Sequence, residues 1–229
     1  MRMNSIYANS VLNLAASDST DAYGGLVRSR PSPLARPCPI IPRWTTIEFS
    51  THSPYSAFDP DLWRKEILTS ALYNRAWVVQ ERILSPRTLH FGATRLFWEC
   101  RLFCVSKGIP NNLPRSSLTS KNQIKRRFYM QMLGLRARKT RNEAAMFQAW
   151  VDVVTLYSEC GLTRISDKLV AIEGVAQAIG LHLVAGQSSY LKGMWVDDWG
   201  REMLWNVSNP RRGKSREFLR GLGRVSMRQ

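Results

Sequence analysis

The spacing of apolar and polar positions predicts strands in the first half of the chain and helices in both halves. Residues 11–16 form a compact apolar run of strand length. Residues 88–91 and 95–100 are rich in apolar and aromatic side chains, and they flank Gly92, Ala93 and Thr94. A short glycine-containing loop between two such runs predicts a β-hairpin.

Helical spacing dominates most of the remaining chain. Residues 59–84 predict a helix in two pieces, because Asn74 interrupts the pattern and Pro86 ends it. Apolar side chains recur at helical spacing over residues 143–158 and again over 167–179, so each segment predicts an amphipathic helix. Several tryptophans predict a final short helix over residues 195–207 that covers the core.

The net charge of +16 is concentrated in two short segments. Residues 115–141 hold nine basic side chains and no acidic one, and residues 211–229 hold seven basic side chains against Glu217. Blocks of like charge repel and stay solvated, so we expect the first segment to lie outside the core and the second to be poorly ordered. The interior of the first segment also permits a short basic amphipathic helix, with apolar positions at Phe128, Tyr129, Met132, Leu133 and Leu135. The alternative is that both bind nucleic acid or an anionic membrane surface without sequence selectivity.

Composition predicts a folded intracellular protein without bound metal or cofactor. The apolar fraction of 44% and eight tryptophans supply enough side chains for a core. No apolar run approaches the roughly 20 residues that a transmembrane helix needs. Four cysteines without a regular framework indicate reduced thiols in the cytoplasm or the nucleus. Cys100 and Cys104 lie near His90, but no second pair follows to complete a zinc site.

One polar stretch contains the candidate site residues. They are Arg75, Trp77, Gln80, Glu81, Arg82 and Arg87. A glutamate beside a guanidinium can orient a ribose or act as an acid or base, which is one interpretation of Glu81. The other is structural, with Glu81 paired to an arginine such as Arg87 and fastening the helix to the hairpin. We expect Trp77 and Trp98 to be core aromatics, with Trp77 buried between that helix and the hairpin.

Residues 74–87 carry a family resemblance. They read Asn-Arg-Ala-Trp-Val-Val-Gln-Glu-Arg-Ile-Leu-Ser-Pro-Arg. This resembles the Arg-Ala-Trp…Gln-Glu-Arg…Ser-Pro-Arg signature of fungal heterokaryon-incompatibility (HET) domains. Leu-His-Phe-Gly over residues 89–92 and Phe-Trp-Glu-Cys over 97–100 follow at the spacing of that family. The Leu-Ser-Tyr…Trp-Gly strand with which family members open is absent, so we expect a truncated domain.

The resemblance implies an α/β fold and a division of the chain. The fold is an incomplete HET-type α/β domain, distantly similar to Toll/interleukin-receptor (TIR) domains, with a β-hairpin and a mainly helical region after it. Residues 1–105 would be the C-terminal portion of the HET domain, and residues 106–142 a basic linker or insertion. Residues 143–207 would be the helical region typical of HET proteins, and residues 208–229 a basic tail.

The resemblance also implies a function. HET proteins take part in non-self recognition and trigger cell death when genetically different fungal cells fuse, so we expect protein partners from that pathway. The rival class is a basic nucleic-acid-binding protein, and a third hypothesis is a TIR-like enzyme that cleaves NAD. The sequence itself contains no complete active site, and fold-level analogy does not establish chemistry.

Overall fold

The structure is a computed structural model. It describes residues 3–27, 29–30, 38–40, 55–57, 59–109, 113, 123–138, 143–181, 190–195, 206–207 and 225–226. The helices are α1 (Met3–Ala8), a π-helix (Arg64–Leu68), α2 (Ala76–Leu84), α3 (Ile124–Arg138), α4 (Glu143–Ser158), a 3-10 turn (Ile165–Asp167) and α5 (Val170–Gly180). The strands are β1 (Asn13–Ala15), β2 (Cys38–Ile40), β3 (Tyr55–Ala57), β4 (Arg87–Phe91), β5 (Leu96–Cys100), β6 (Cys104–Ser106), β7 (Tyr190–Leu191), β8 (Met194–Trp195), β9 (Asn206–Val207) and β10 (Val225–Ser226).

The main sheet has four strands in the order β1-β4-β5-β6. Strand β1 runs parallel to β4, whereas β4, β5 and β6 pair antiparallel. The predicted hairpin is therefore confirmed as β4 and β5, and β1 lies inside the predicted run 11–16. The π-helix and α2 lie between β1 and β4 in sequence, as the two-piece helix prediction required. The fold class is mixed α/β.

The two faces of this sheet differ in what covers them. Alternate side chains such as Thr88, His90, Phe97 and Glu99 are buried beneath the helices. The intervening side chains lie in register across the four strands, and they are Leu14, Leu89, Trp98 and Val105. We call this second row the open face, because Leu14 is 51% exposed and the other three are half-buried.

The larger apolar core is helical. Helices α2, α3, α4 and α5 contribute to it, with Trp150, Val153 and Ile179 among its most deeply buried members. Trp195 closes one side, with its ring 6.2 Å from that of Trp150. The bounds of α4 are those predicted from the apolar spacing, and α5 lies over the predicted 167–179 helix with a shift at its start.

Helix α3 corrects the expectation that residues 115–141 lie outside the core. Ile124, Phe128 and Met132 are buried in the helical core, and Lys125 is 1% exposed. Its apolar side chains recur at helical spacing, so the helix buries one stripe while other positions such as Arg126 face solvent. The core therefore joins residues from three of the four predicted segments.

Two further predictions near the C-terminus also need correction. The helix predicted over 195–207 is wrong at both ends, since Trp195 ends β8 and Asn206–Val207 is β9. In the predicted disordered tail, Val225–Ser226 pairs with β9 as β10. The remaining residues of both segments lie outside the described residues. So do residues 44–49, whose β-branched and aromatic composition predicts a strand.

Trp77 is placed differently from the prediction. Its ring is half-buried and packs against the helical core, not between α2 and the hairpin. We therefore expect Trp77→Ala to cost roughly 1–2 kcal/mol of unfolding free energy, from partial apolar burial. Trp150→Ala is the matched comparison and should cost about 3–5 kcal/mol, because Trp150 is 1% exposed. Urea denaturation of both variants measures the difference, and equal losses would contradict this placement.

Candidate functional site

The motif helix α2 places Arg82 against the covered face of the sheet. Arg82 and Glu99 of β5 are each 1% exposed and form a buried ion pair. Arg82 Nε donates to both carboxylate oxygens, at 3.1 and 3.0 Å, and Nη2 donates to Oε1 at 2.7 Å. Such fork-like pairing combines charge with fixed geometry, so it sets the position of α2 on the hairpin.

Three further polar side chains gather around Glu99. His90 Nε2 lies 3.2 Å from Glu99 Oε2, and Lys125 Nζ lies 3.7 Å from the same oxygen. Lys125 Nζ also donates to the Thr88 hydroxyl at 2.8 Å. Glu99, Arg82, His90 and Lys125 are named here the Glu99 cluster. It ties together α2, β4, β5 and α3.

Aromatic rings enclose the Arg82 guanidinium and orient His90. The guanidinium carbon lies 5.3 Å from the centroid of the Tyr73 ring and 5.7 Å from that of Trp63. The Tyr73 hydroxyl and His90 Nδ1 are 2.9 Å apart. In neutral His90, Nδ1 accepts from Tyr73 while Nε2–H donates to Glu99, which fixes the tautomer.

The electrostatics of the cluster follow from burial and the two cations. Burial disfavours an ionised Glu99, but the charges of Arg82 and Lys125 outweigh it, so the pKa of Glu99 is lowered. Burial lowers the pKa of His90 below its ordinary 6.5, so His90 is neutral near pH 7. Burial also lowers the pKa of Lys125. The negative charge of Glu99 thus faces two basic side chains, Arg82 and Lys125.

The pH dependence of the unfolding free energy should reveal the lowered pKa of His90. The folded chain keeps His90 neutral, whereas the unfolded chain protonates it below its ordinary pKa of 6.5. The unfolded state then binds more protons, so stability falls as pH decreases below about 6.5. Glu99, with its lowered pKa, acts in the same direction below its ordinary 4.5.

Guanidinium melts of wild type and His90→Gln between pH 7.5 and 5 isolate the histidine contribution. Glutamine can still donate to Glu99 but does not titrate. As the pH decreases below about 6.5, we expect the unfolding free energy of the wild type to fall by up to about 1.4 kcal/mol per pH unit more than that of the variant. Parallel pH profiles would show that His90 titrates normally in the folded chain.

The other motif residues serve separate contacts. Gln80 is 2% exposed, and its Oε1 accepts the backbone N–H of Gly174 in α5 at 3.0 Å. Glu81 is partly buried, and burial raises its pKa even though Tyr7 donates a hydrogen bond to it and Arg75 lies nearby. Arg87 is exposed and donates to the Val11 carbonyl at 3.4 Å.

The backbone at the start of the motif is anchored as well. Arg75 is extended, with φ −92° and ψ 127°, and its side chain is exposed. Ala76 N–H donates to the Gly161 carbonyl at 2.9 Å, and Gly161 N–H donates to Asn74 at 2.7 Å. The entry of α2 is thereby tied to the end of α4.

The structure does not show the pair expected between Glu81 and an arginine such as Arg87. The ion pair that fastens helix to hairpin joins Arg82 to Glu99, whereas Glu81 contacts Tyr7 and Arg87 contacts a backbone carbonyl. Sequence reasoning missed Glu99, His90 and Lys125 as partners. The available signal was the polar residues at alternate positions of β4 and β5, which marks one strand face.

The cluster is a poor place for catalysis on a substrate. Glu99 and His90 are at most 1% exposed, and Glu99 accepts from both Arg82 and His90. A reacting group needs access to substrate, which this enclosure does not provide. Among the described residues, no group of His, Cys, Asp and Glu is arranged to hold a metal ion. Burial also raises the pKa of the Cys104 thiol, opposing a nucleophilic role.

Comparison with known proteins matches part of the chain to a family model. Residues 1–81 match the family model described as Heterokaryon incompatibility protein (HET). Neither the curated proteins nor the solved structures contain a significant match to this chain. The matched segment includes β1, the π-helix and the first part of α2, whereas Arg82 and the hairpin follow it. Residues 1–81 of this chain are therefore similar to the heterokaryon incompatibility (HET) family.

Proposed function

We propose that this chain acts in fungal non-self recognition and triggers cell death through protein–protein contacts. The observation that carries the proposal is the match of residues 1–81 to the HET family. The hydrogen bonds of the motif support a role in protein contacts rather than in catalysis, because Gln80 and Arg82 both bond to other residues of the chain. The motif then maintains the shape of a surface that partners recognise.

The open face supports such contacts. Leu14, Leu89, Trp98 and Val105 form an apolar row, and Phe103 and Leu102 nearby are 43% and 55% exposed. Contiguous exposed apolar side chains commonly mark surfaces for protein association. Among the described strands, β1 lies at an edge of the main sheet, and strand edges also favour association. A protein partner of the incompatibility pathway would cover this face.

Inducible expression in a filamentous fungus tests the proposal. We expect the wild-type chain to reduce viability, measured by vital-dye uptake and colony counts. Leu14→Asp introduces a charge into the open face and should abolish the effect. Leu181→Asp is the matched control, because Leu181 is 84% exposed on the helical side. Stable accumulation of wild-type protein without loss of viability would refute the proposal.

Nucleic-acid binding is the second candidate, favoured by the net charge of +16. Part of that charge is engaged internally, since Lys125 is buried and Arg127 pairs with Asp152 at 2.9 Å. If the basic segments bind nucleic acid, affinity for a DNA or RNA duplex should fall steeply with salt. Fluorescence anisotropy across a salt series measures this slope. A flat or absent response would exclude this candidate.

NAD cleavage receives less support from the geometry. The motif carboxylate Glu81 accepts a hydrogen bond from Tyr7, and Glu99 is enclosed. Incubation of purified chain with NAD and chromatography of the products tests this activity directly. Nicotinamide release lost in Glu81→Gln would revive the enzyme hypothesis, and no release would exclude it for this chain.

A further inference from the structure

A cleft of about 570 Å³ lies at one end of the main sheet, and the residues of the Glu99 cluster do not line it. Its walls are the loop after β1 (residues 17–20), residues 59–71 around the π-helix, and the β4–β5 turn (residues 93–95). We call it the sheet-end cleft. Its volume is within the range of small-molecule sites, which is about 300–1,000 Å³.

The position of the cleft is the first argument that it binds a ligand. Strands β1 and β4 are parallel, and both the loop after β1 and the turn after β4 lie at their carboxyl ends. In α/β sheets, ligands bind in crevices outside the carboxyl ends of parallel strands. The π-helix Arg64–Leu68 forms part of the opposite wall, and such helices are frequent at functional sites.

Ser17 provides an independent observation. It lines the cleft and is 3% exposed, and among the described residues its Oγ has no hydrogen-bond partner. Buried hydroxyls are normally paired, and leaving one unpaired costs about 1–3 kcal/mol. The neighbouring Ser19 follows the rule, because its hydroxyl donates to the Asp21 carbonyl at 2.7 Å. A bound molecule would supply the partner that Ser17 lacks.

Glu66 is held in the cleft wall by the hairpin turn. Its carboxylate accepts the Thr94 backbone N–H at 3.0 Å and also the Thr94 hydroxyl. Gly92 permits this approach, since a Cβ there would lie 2.5 Å from Glu66 Oε2. The carboxylate is thus fixed in place before any ligand arrives, which lowers the entropic cost of binding.

The charges of the cleft select the ligand class. Its carboxylates are Asp18, Asp59 and Glu66, and its cations are Lys65 and Arg95. Lys65 already pairs with Asp59 at 2.7 Å. The slight excess of carboxylates repels phosphate and other anions. Carboxylate oxygens accept hydrogen bonds from hydroxyls, while Leu62, Ala71 and Ala93 offer apolar surface to a carbon ring.

We propose that the sheet-end cleft binds an uncharged polyol the size of a monosaccharide, through neighbouring hydroxyl groups. Ser17 and Glu66 are the contacts that define the site. Ser17 Oγ exchanges a hydrogen bond with one hydroxyl, and the Glu66 carboxylate accepts from another. The apolar wall packs against the C–H face of the ring.

Saturation-transfer NMR on the full chain with millimolar D-ribose, D-glucose and myo-inositol tests the proposal. We expect transfer to at least one polyol and none to tetrahydropyran, which has a similar ring without hydroxyls. Titration with inorganic phosphate, followed by its ³¹P line width, should show no binding. Binding of phosphate in place of the polyols would overturn the charge argument.

Ser17→Ala separates a binding role from a structural one. The hydroxyl has no hydrogen-bond partner among the described residues. Its removal should therefore leave the melting temperature unchanged or raised while weakening polyol binding about ten-fold. Ser106→Ala is the matched control, because Ser106 is 4% exposed and its Oγ also lacks a partner among the described residues. Ser106 does not line the cleft, and its variant should bind polyols as wild type does.

Glu66→Gln is the second variant, because a glutamine oxygen can still accept from Thr94 while the charge is lost. We expect binding to weaken in this variant too, with the fold retained in circular dichroism spectra. Absence of transfer to every polyol in the folded wild type would overturn the proposal. So would polyol binding that is unchanged in both Ser17→Ala and Glu66→Gln.

Discussion

Glu99→Gln is expected to destabilise the chain by about 3–5 kcal/mol, enough to unfold a typical domain partly or fully. The variant leaves the Arg82 and Lys125 cations in a buried site without a compensating charge. Removing one partner of a buried ion pair costs far more than the pair contributes, because the remaining charge has lost its water. Chemical denaturation followed by circular dichroism measures the loss.

Two comparisons make this prediction specific to the buried charge. Glu81→Gln alters a partly buried carboxylate in the same motif and should change stability by less than about 1 kcal/mol. Lys125→Met removes one of the two cations and leaves the Arg82–Glu99 pair intact, so it should cost less than Glu99→Gln. If Glu99→Gln and Glu81→Gln lose equal stability, the Glu99 cluster does not hold the fold together.

The local elements of this fold could be predicted from the sequence. The β4–β5 hairpin follows from two strand-like runs around Gly92, and α4 follows from apolar side chains at helical spacing. Both signals depend on residues close together in the chain. Such signals therefore do not depend on contacts between distant parts of the chain.

The candidate site was harder to predict, because β4 and β5 bury polar side chains. The alternation of Leu89 and Phe91 with Thr88 and His90 suggests that the apolar side chains face inward. The structure buries Thr88 and His90 instead, beside Glu99. Such a buried polar face is stable only because Arg82 of α2 and Lys125 of α3 form ion pairs with Glu99. Partners so distant in sequence leave no local pattern.

Helix α3 shows the same limit. Nine basic residues in 115–141 predict a solvated segment, since like charges repel. Lys125 is nevertheless buried, because Glu99 and the Thr88 hydroxyl supply partners at 3.7 and 2.8 Å. Arg127 forms an ion pair with Asp152 of α4. Net charge by segment cannot reveal which side chains meet an acid from another element.

The second large effect concerns the contact between α2 and α5. Gly174 lies inside α5, where alanine would ordinarily stabilise a helix by about 1 kcal/mol. Here a Cβ would lie 2.2 Å from Gln80 Oε1 and 2.7 Å from Gln80 Cδ. Gln80 is 2% exposed, so its side chain has little space into which to move. Overpacking of this kind costs about 1–3 kcal/mol, and the lost hydrogen bond to Gly174 N–H adds to it.

We therefore expect Gly174→Ala to destabilise the chain by about 2–4 kcal/mol, against the helix propensity. Gly180→Ala is the control in the same helix, because its Cβ would meet Trp195 at an ordinary 3.6 Å. In a double-mutant cycle, Gln80→Ala removes the obstructing amide, so adding Gly174→Ala to it should cost little or stabilise. Thermal and urea melts of the four chains give the coupling energy, expected at about 1–3 kcal/mol. Additive losses would mean that Gln80 and Gly174 do not touch, and that the motif glutamine fastens α2 to another part of the core.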